Sequence, residues 1–209
     1  MIRTTFVPLM CAALLAGCAN PVNRVTANRY YDAALVAEQA GDIDQAAAMY
    51  ARALNNAQVG FLGPSAQSAA MYGLGRMRGY QCRTAEAEQL LVESLALEEK
   101  ASGPESGPVS MRLFELARFH ADSGRFAQSL PYFARALPLG RKRGIPERDP
   151  HAFAQAFDDY AVALARSGQP AEAEAARTEA RALRDRRPGG EPSFVPKRYP
   201  AFCVPPPAR

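Results

Sequence analysis

Tryptophan is absent from this 209-residue chain, histidine occurs twice and cysteine only four times. The scarcity of histidine and cysteine bears first on metals. Neither His120 nor His151 has a Cys, His or acidic partner at metal-ligand spacing, so no zinc site is legible and no metal is expected. His120 is spaced from Leu113, Leu116 and Ala117 like a core residue of a helix. His151 follows Asp149-Pro150 at a helix start and reads as solvated. There is no Gly-x-Ser-x-Gly, no His-Glu-x-x-His and no glycine loop that would cradle phosphate. The adjacent acids Glu98-Glu99 and Asp158-Asp159 diverge by about 100° on a helix. They read as solvated charges rather than an acid/base dyad. No catalytic residue is assigned, and an enzyme is not expected.

One-signed charge is also lacking. The formal net charge is +4, or +3 with 24 basic against 21 acidic residues once Arg3 is set aside. These charges are interspersed, which argues against nucleic acid as a partner. Abundant alanine and few β-branched residues favour helix.

Long apolar runs are missing too. The longest uncharged leading stretch, Thr4 to Gly17, follows the single charge of Arg3. Its fourteen residues would make about 21 Å of helix, short of the roughly 30 Å hydrocarbon core. A cleaved signal segment over 1–17 fits better than a spanning helix. The stretch ends Leu15-Ala16-Gly17-Cys18, which resembles the bacterial lipobox. That resemblance implies a diacylglyceryl group on the Cys18 thiol, cleavage after Gly17 and acylation of the new amine. Apart from this covalent lipid no cofactor is expected. Two or three chains, at about 0.8 kcal/mol per buried methylene, hold a membrane where one would not. Ala19 stands where an Asp would, by family rule, favour the inner membrane, so the expected location is the outer membrane, facing the periplasm. Residues 18–26 are expected to form the lipidated N-terminus and tether.

Four segments in the middle of the chain share one pattern. Small residues Ala46, Ala87, Ser129 and Ala173 recur at intervals of 41, 42 and 44. In each segment apolar residues recur at three and four, a turn intervenes, and a second periodic run begins. Gly41, Gly124 and Gly168 end the first helices, as the residue type best able to take φ > 0. Gly-Asp-Ile-Asp at 41–44 and Gly-Gln-Pro at 168–170 then place an acid or a proline where the next helix starts. Small Ala34, Gly75, Ala117 and Ala161 mark close helix approaches, while Tyr50, Leu91 and Phe133 are sized to fill the gap to the next unit. Repetition at this period means stacked helix pairs rather than one closed core.

The pattern resembles the tetratricopeptide repeat, and its spacing of about 42 residues is similar to the longer variety of kinesin light chains. Glu98 through Val109 and Leu116 through Leu137 are the nearest stretches. The resemblance implies an all-α, right-handed solenoid of about four helix-turn-helix repeats, at about 27–60, 65–101, 108–140 and 150–186, within a domain over 27–186. Cys82 replaces a turn glycine, Ser94 a small apolar residue, and Arg177 an aromatic. The last suits a terminal repeat, whose outer face must be polar. Connections are expected at 58–64, 101–107 and 138–149. From 187 to 209 the density of proline forbids helix, and an extended, partly disordered tail is expected.

By the same resemblance, the first helices would line a concave groove. Tyr31, Tyr72, Phe114 and Asp158 would face it, with Leu35, Arg76, Arg118 and Val162 one turn further on. An aromatic stripe beside two arginines suits an extended peptide or short helix carrying an acid. The glycine at position 73 would leave backbone open to a ligand. The alternative is that the aromatics fold into the inter-repeat core. Two cysteines, Cys82 and Cys203, remain once Cys18 is lipidated. In an oxidising envelope they form a candidate disulfide that would lay Phe194, Tyr199 and Phe202 across the repeats; the rival is a free or intermolecular Cys203. The expected function is a lipid-anchored adaptor for proteins or peptides of the bacterial envelope, the alternative a receptor for a small cell-wall-derived ligand. Replacing Cys18 with Ser should abolish labelled-palmitate incorporation and leave the precursor uncleaved; a palmitate-labelled Ser variant would refute the lipobox reading.

Overall fold

A computed structural model describes residues 21–200 and Cys203. Cys18, with the leader before it, and Phe202 lie outside the described residues. Those described form nine helices and no strand: α1 (Pro21–Gln39), α2 (Ile43–Val59), α3 (Pro64–Tyr80), α4 (Thr84–Ser102), α5 (Gly107–Asp122), α6 (Phe126–Lys142), the single turn α7 (Ile145–Arg148), α8 (Pro150–Arg166) and α9 (Pro170–Asp185). Helices α1 and α2, α3 and α4, α5 and α6, and α8 and α9 pair as hairpins. The second helix of each pair packs on the first helix of the next, so the pairs stack in chain order. No helix among the described residues is long and apolar enough to cross a membrane.

The hairpin turns have a common cause. Gly41, Gly124 and Gly168 sit at φ +79°, +71° and +79°. In each case the next residue's N–H reaches back five residues to a helix carbonyl, as Asp42 N does to Ala37 O at 2.9 Å. This is the Schellman closure, which needs a left-handed residue just past the helix. Cys82 takes the same place at φ +62°, and Arg83 N bonds Arg78 O at 2.9 Å. A side chain in that conformation costs roughly 1–2 kcal/mol that glycine would not. The next helices start on caps written in the sequence: Asp42 accepts from Gln45 N, and Pro170 opens α9.

Three apolar clusters lie at the three joints between repeats. Tyr50 packs with Leu74 and Met77 at the first joint. Leu91 packs with Leu113, Leu116 and Phe119 at the second. Phe133 packs with Phe153 and Phe157 at the third. Each lead residue is at most 2% exposed, and burial of such a side chain contributes about 1.5–3 kcal/mol.

Three expectations change. Residues 21–26, expected as tether, are helical and belong to α1. The stretch 138–149 is not a plain loop. α6 runs through Pro138 to Lys142, and Leu139 and Gly140 are buried there. A Cβ on Gly140 would come within 2.6 Å of the Phe153 ring, so packing on α8 outweighs the lost hydrogen bond. The backbone at Gly73 is not open to a ligand, since the Tyr50 ring lies on it, 2.4 Å from where a Cβ would stand. Gly73→Ala is therefore a test of sign. Helix propensity alone would stabilise by about 1 kcal/mol. Overpacking against buried Tyr50 should instead destabilise by about 1–3 kcal/mol in urea unfolding.

Candidate functional site

The first helices of all four pairs face one concave side and enclose a half-open cavity of about 620 Å³. Its apolar wall comes from Tyr31 and Leu35 of α1, Met111 and Phe114 of α5, and Phe153 and Ala156 of α8. Leu35 and Met111 leave substantial apolar surface in solvent, at 37% and 55% exposure. Phe114 meets Phe153 edge to face, with centroids 6.4 Å apart, which ties the third repeat to the fourth.

The polar side of the cavity is a chain of buried charges. Glu115 of α5 is its centre. One carboxylate oxygen accepts from Arg118 and from the Tyr199 hydroxyl. The other accepts from the Tyr72 hydroxyl at 3.1 Å and lies 3.7 Å from Arg76 Nε. Arg76 also holds Glu38 of α1 at 2.5 Å, and Glu38 accepts from the Tyr50 hydroxyl at 2.9 Å. Burial pushes the Glu115 carboxyl up, but Arg118, Arg76 and the Tyr199 hydroxyl outweigh it and hold the group below its ordinary 4.5. The Tyr199 phenol is driven far up, first by burial and then by Glu115 beside it, and so stays a neutral donor. Arg76 Nε and Arg118 Nε are buried without a hydrogen-bond acceptor.

The C-terminal segment runs back over this face. Ser193 donates its N–H (2.9 Å) and its hydroxyl to Asp149. Phe194 and Pro196 roof part of the cavity. Tyr80 donates to the Lys197 carbonyl at 3.1 Å, and Tyr199 N donates to Asp122 at 2.9 Å. Arg198 is clamped between Asp122, at 3.1 Å, and Asp159. Cys203 is bonded to Cys82, with Cα atoms 4.9 Å apart across 121 residues of sequence. The described part of the tail is thus extended, but bound along the repeats.

Tyr31, Leu35, Tyr72, Arg76, Phe114 and Arg118 come together in the one cavity. Asp158 does not join them. Tyr72 and Phe114 reach towards the first helix of the following repeat. α8 is the last first helix among the described residues, so Asp158 turns to Arg184 of α9 instead. Its neighbour Asp159 faces the groove. The acid pairs are not merely solvated either: Glu98 is buried and bound to Arg112 at 3.0 Å, and Asp159 holds Arg198. Arg76 and Arg118 are not free cations awaiting an acid, because Glu38 and Glu115 already neutralise them. Sequence reasoning missed Glu38, Glu115 and Asp159. The spacing Glu115 to Arg118 was a legible signal, since opposite charges three apart share a helix face. His120 is buried, with its ring stacked on Tyr132. Burial, helped by Arg125, pushes its pKa down to about 4. His151 is bound to the Arg187 carbonyl at 2.7 Å. No group of three or more His, Cys, Asp or Glu among the described residues could hold a metal ion.

A stack of helix hairpins with a concave face lined by first helices is an α-solenoid, with the fold of tetratricopeptide-repeat arrays. Residues 66–142 match the tetratricopeptide repeat family. Among solved structures the fold is similar to BtubC (BKLC) from P. vanneervenii, with TM-score 0.73 at 19% identity over 84% of this chain and 69% of that one. It is also similar to a putative kinesin light chain with nearly identical repeats from Podosopora anserina, with TM-score 0.63 at 17% identity over 86% and 83%. No curated protein matches the sequence significantly.

Glu115→Gln should destabilise by about 3–5 kcal/mol near neutral pH, because it leaves the buried Arg118 guanidinium without its anion and takes one of two from Arg76. The depressed Glu115 pKa means its contribution is present above about 4.5 and lost as pH falls through the folded value. The depressed His120 pKa removes stability earlier, as pH falls from 6.5 towards about 4. Urea unfolding across pH 7 to 3 should show both losses in the native protein and only the earlier one in Glu115→Gln.

Proposed function

We propose that the protein is a lipid-anchored scaffold of a bacterial envelope, tethered through Cys18 to the outer membrane on its periplasmic side, whose concave groove captures a segment of a partner protein. The observation that carries this reading is the half-open apolar cavity spanning the first helices of all four repeats. An apolar surface of this kind, concave and partly exposed, marks an interaction site. The Cys82–Cys203 bond supports the compartment, because disulfides persist in oxidising surroundings. The lipobox-like Leu15-Ala16-Gly17-Cys18 supports the anchor.

With Arg76 and Arg118 already paired to Glu38 and Glu115, the cavity has no free cation among the described residues for an acidic guest. Apolar side chains would meet Leu35, Met111 and Phe114. One observation favours a second reading, a carrier for a small apolar ligand: about 620 Å³, partly roofed by Phe194 and Pro196, is the size of a small-molecule site.

A photo-crosslinking residue at position 111, placed in the full-length protein in intact cells, tests the two. A protein adduct that falls about tenfold when Leu35→Glu is added, with thermal melting unchanged, is the scaffold outcome. Adducts indifferent to Leu35→Glu would overturn it. A lipid or glycan mass retained in native mass spectrometry would favour the carrier.

A further inference from the structure

The inner end of the groove is already filled, and the way it is filled defines a ligand. Tyr199 is 5% exposed. Its ring is stacked on Tyr80 at 4.8 Å, set edge-on to Phe119 at 5.1 Å and covered by the Arg118 guanidinium at 5.6 Å. The fourth side is Gly79, where a Cβ would stand 2.3 Å from the ring, so the slot exists only because the helix carries no side chain there. The slot's far end holds an acceptor, Glu115, for the phenol. Next to it, Asp122 and Asp159 form an acidic clamp on Arg198. Asp122 also accepts the Tyr199 N–H, so the backbone direction is read as well. Ser193 N, Lys197 O and Tyr199 N bond the domain through main chain, and the side chains of Ser193, Lys197, Arg198 and Tyr199 supply further contacts.

We propose that this is a peptide site for an extended segment bearing an Arg-Tyr pair, and that residues 193–200 are its ligand in cis. The inference rests on the groove reading above and names the partner chemistry: a basic residue followed by a tyrosine, entering where the tail now lies. The Cys82–Cys203 bond holds the internal segment at high effective concentration, so a partner's segment competes only when the tail is loosened. The slot requires a phenol rather than a bare ring, because without a donor Glu115 loses one of its buried bonds.

The probe is a fluorescein-labelled peptide of residues 192–200, Pro-Ser-Phe-Val-Pro-Lys-Arg-Tyr-Pro. The receptor is the full-length chain carrying Cys203→Ser, Arg198→Ala and Tyr199→Ala, in which the tail cannot fill its own site. It should bind the peptide, while the oxidised native protein should not. Peptides with Arg or Tyr replaced by Ala should bind about tenfold more weakly or worse. A receptor with native helical circular dichroism that ignores the peptide, or binds all three alike, overturns the proposal. Should that triple variant unfold, the Cys82→Ser/Cys203→Ser protein, tail otherwise intact, decides. Excess peptide should then speed hydrogen exchange at the Tyr199 amide several-fold, and an amide unmoved by saturating peptide overturns the proposal. A receptor that ignores the peptide yet keeps its Leu35-dependent adduct at position 111 refutes this site while leaving the scaffold reading intact.

Discussion

Everything on the concave face depends on a buried carboxylate. Glu115 is buried, and a bare charge in that position would be untenable. It is tolerated because Tyr72 from α3, Arg118 from its own helix and Tyr199 from the tail donate to it, and the Arg76 cation of α3 lies 3.7 Å away. Arg76 extends the chain to Glu38 on α1. Three successive repeats and the C-terminal segment are thus coupled through one side chain, and any rearrangement of the groove must keep that group satisfied. A solenoid whose joints were only apolar would be free to bend at each of them. Here the curvature is pinned across the first three repeats.

The same constraint explains the tail's route. A Pro-rich segment cannot add a helix to the stack and has no sheet to join, so it binds through side chains and scattered main-chain contacts. Its attachments combine carboxylates and a ring slot: Ser193 on Asp149, Arg198 between two aspartates, Tyr199 in the slot over Gly79. Cys82 occupies a turn position that glycine fills in the other three hairpins. The backbone cost of a side chain at φ +62° is offset by what only a thiol can do there, which is to bind the end of that segment.

Much of the scaffold was readable in one dimension, because each helix pair is closed by short-range chemistry. The turn glycines, Asp42, Pro170 and the recurrence of small residues act over a few residues each. Their period needs no knowledge of what packs on what. The aromatic stripe was readable as well, since positions equivalent by repeat share a direction. The reading failed at the end of the stack, where Asp158 has no following repeat to face. It failed again for the charges, because whether Arg76 is free or neutralised depends on Glu38, 38 residues earlier and on another helix.

The sequence by itself determined the helical period, the turn positions, the lipobox-like start and the presence of two cysteines beyond it. These are local patterns, and local sterics and hydrogen bonding suffice to read them. Only the tertiary structure decided that the groove's arginines are already paired, that Gly73 is roofed by Tyr50, and that Gly79 makes a slot for Tyr199. Each of those outcomes turns on contacts between residues brought together by stacking, and a neutralised charge looks the same along the chain as a free one.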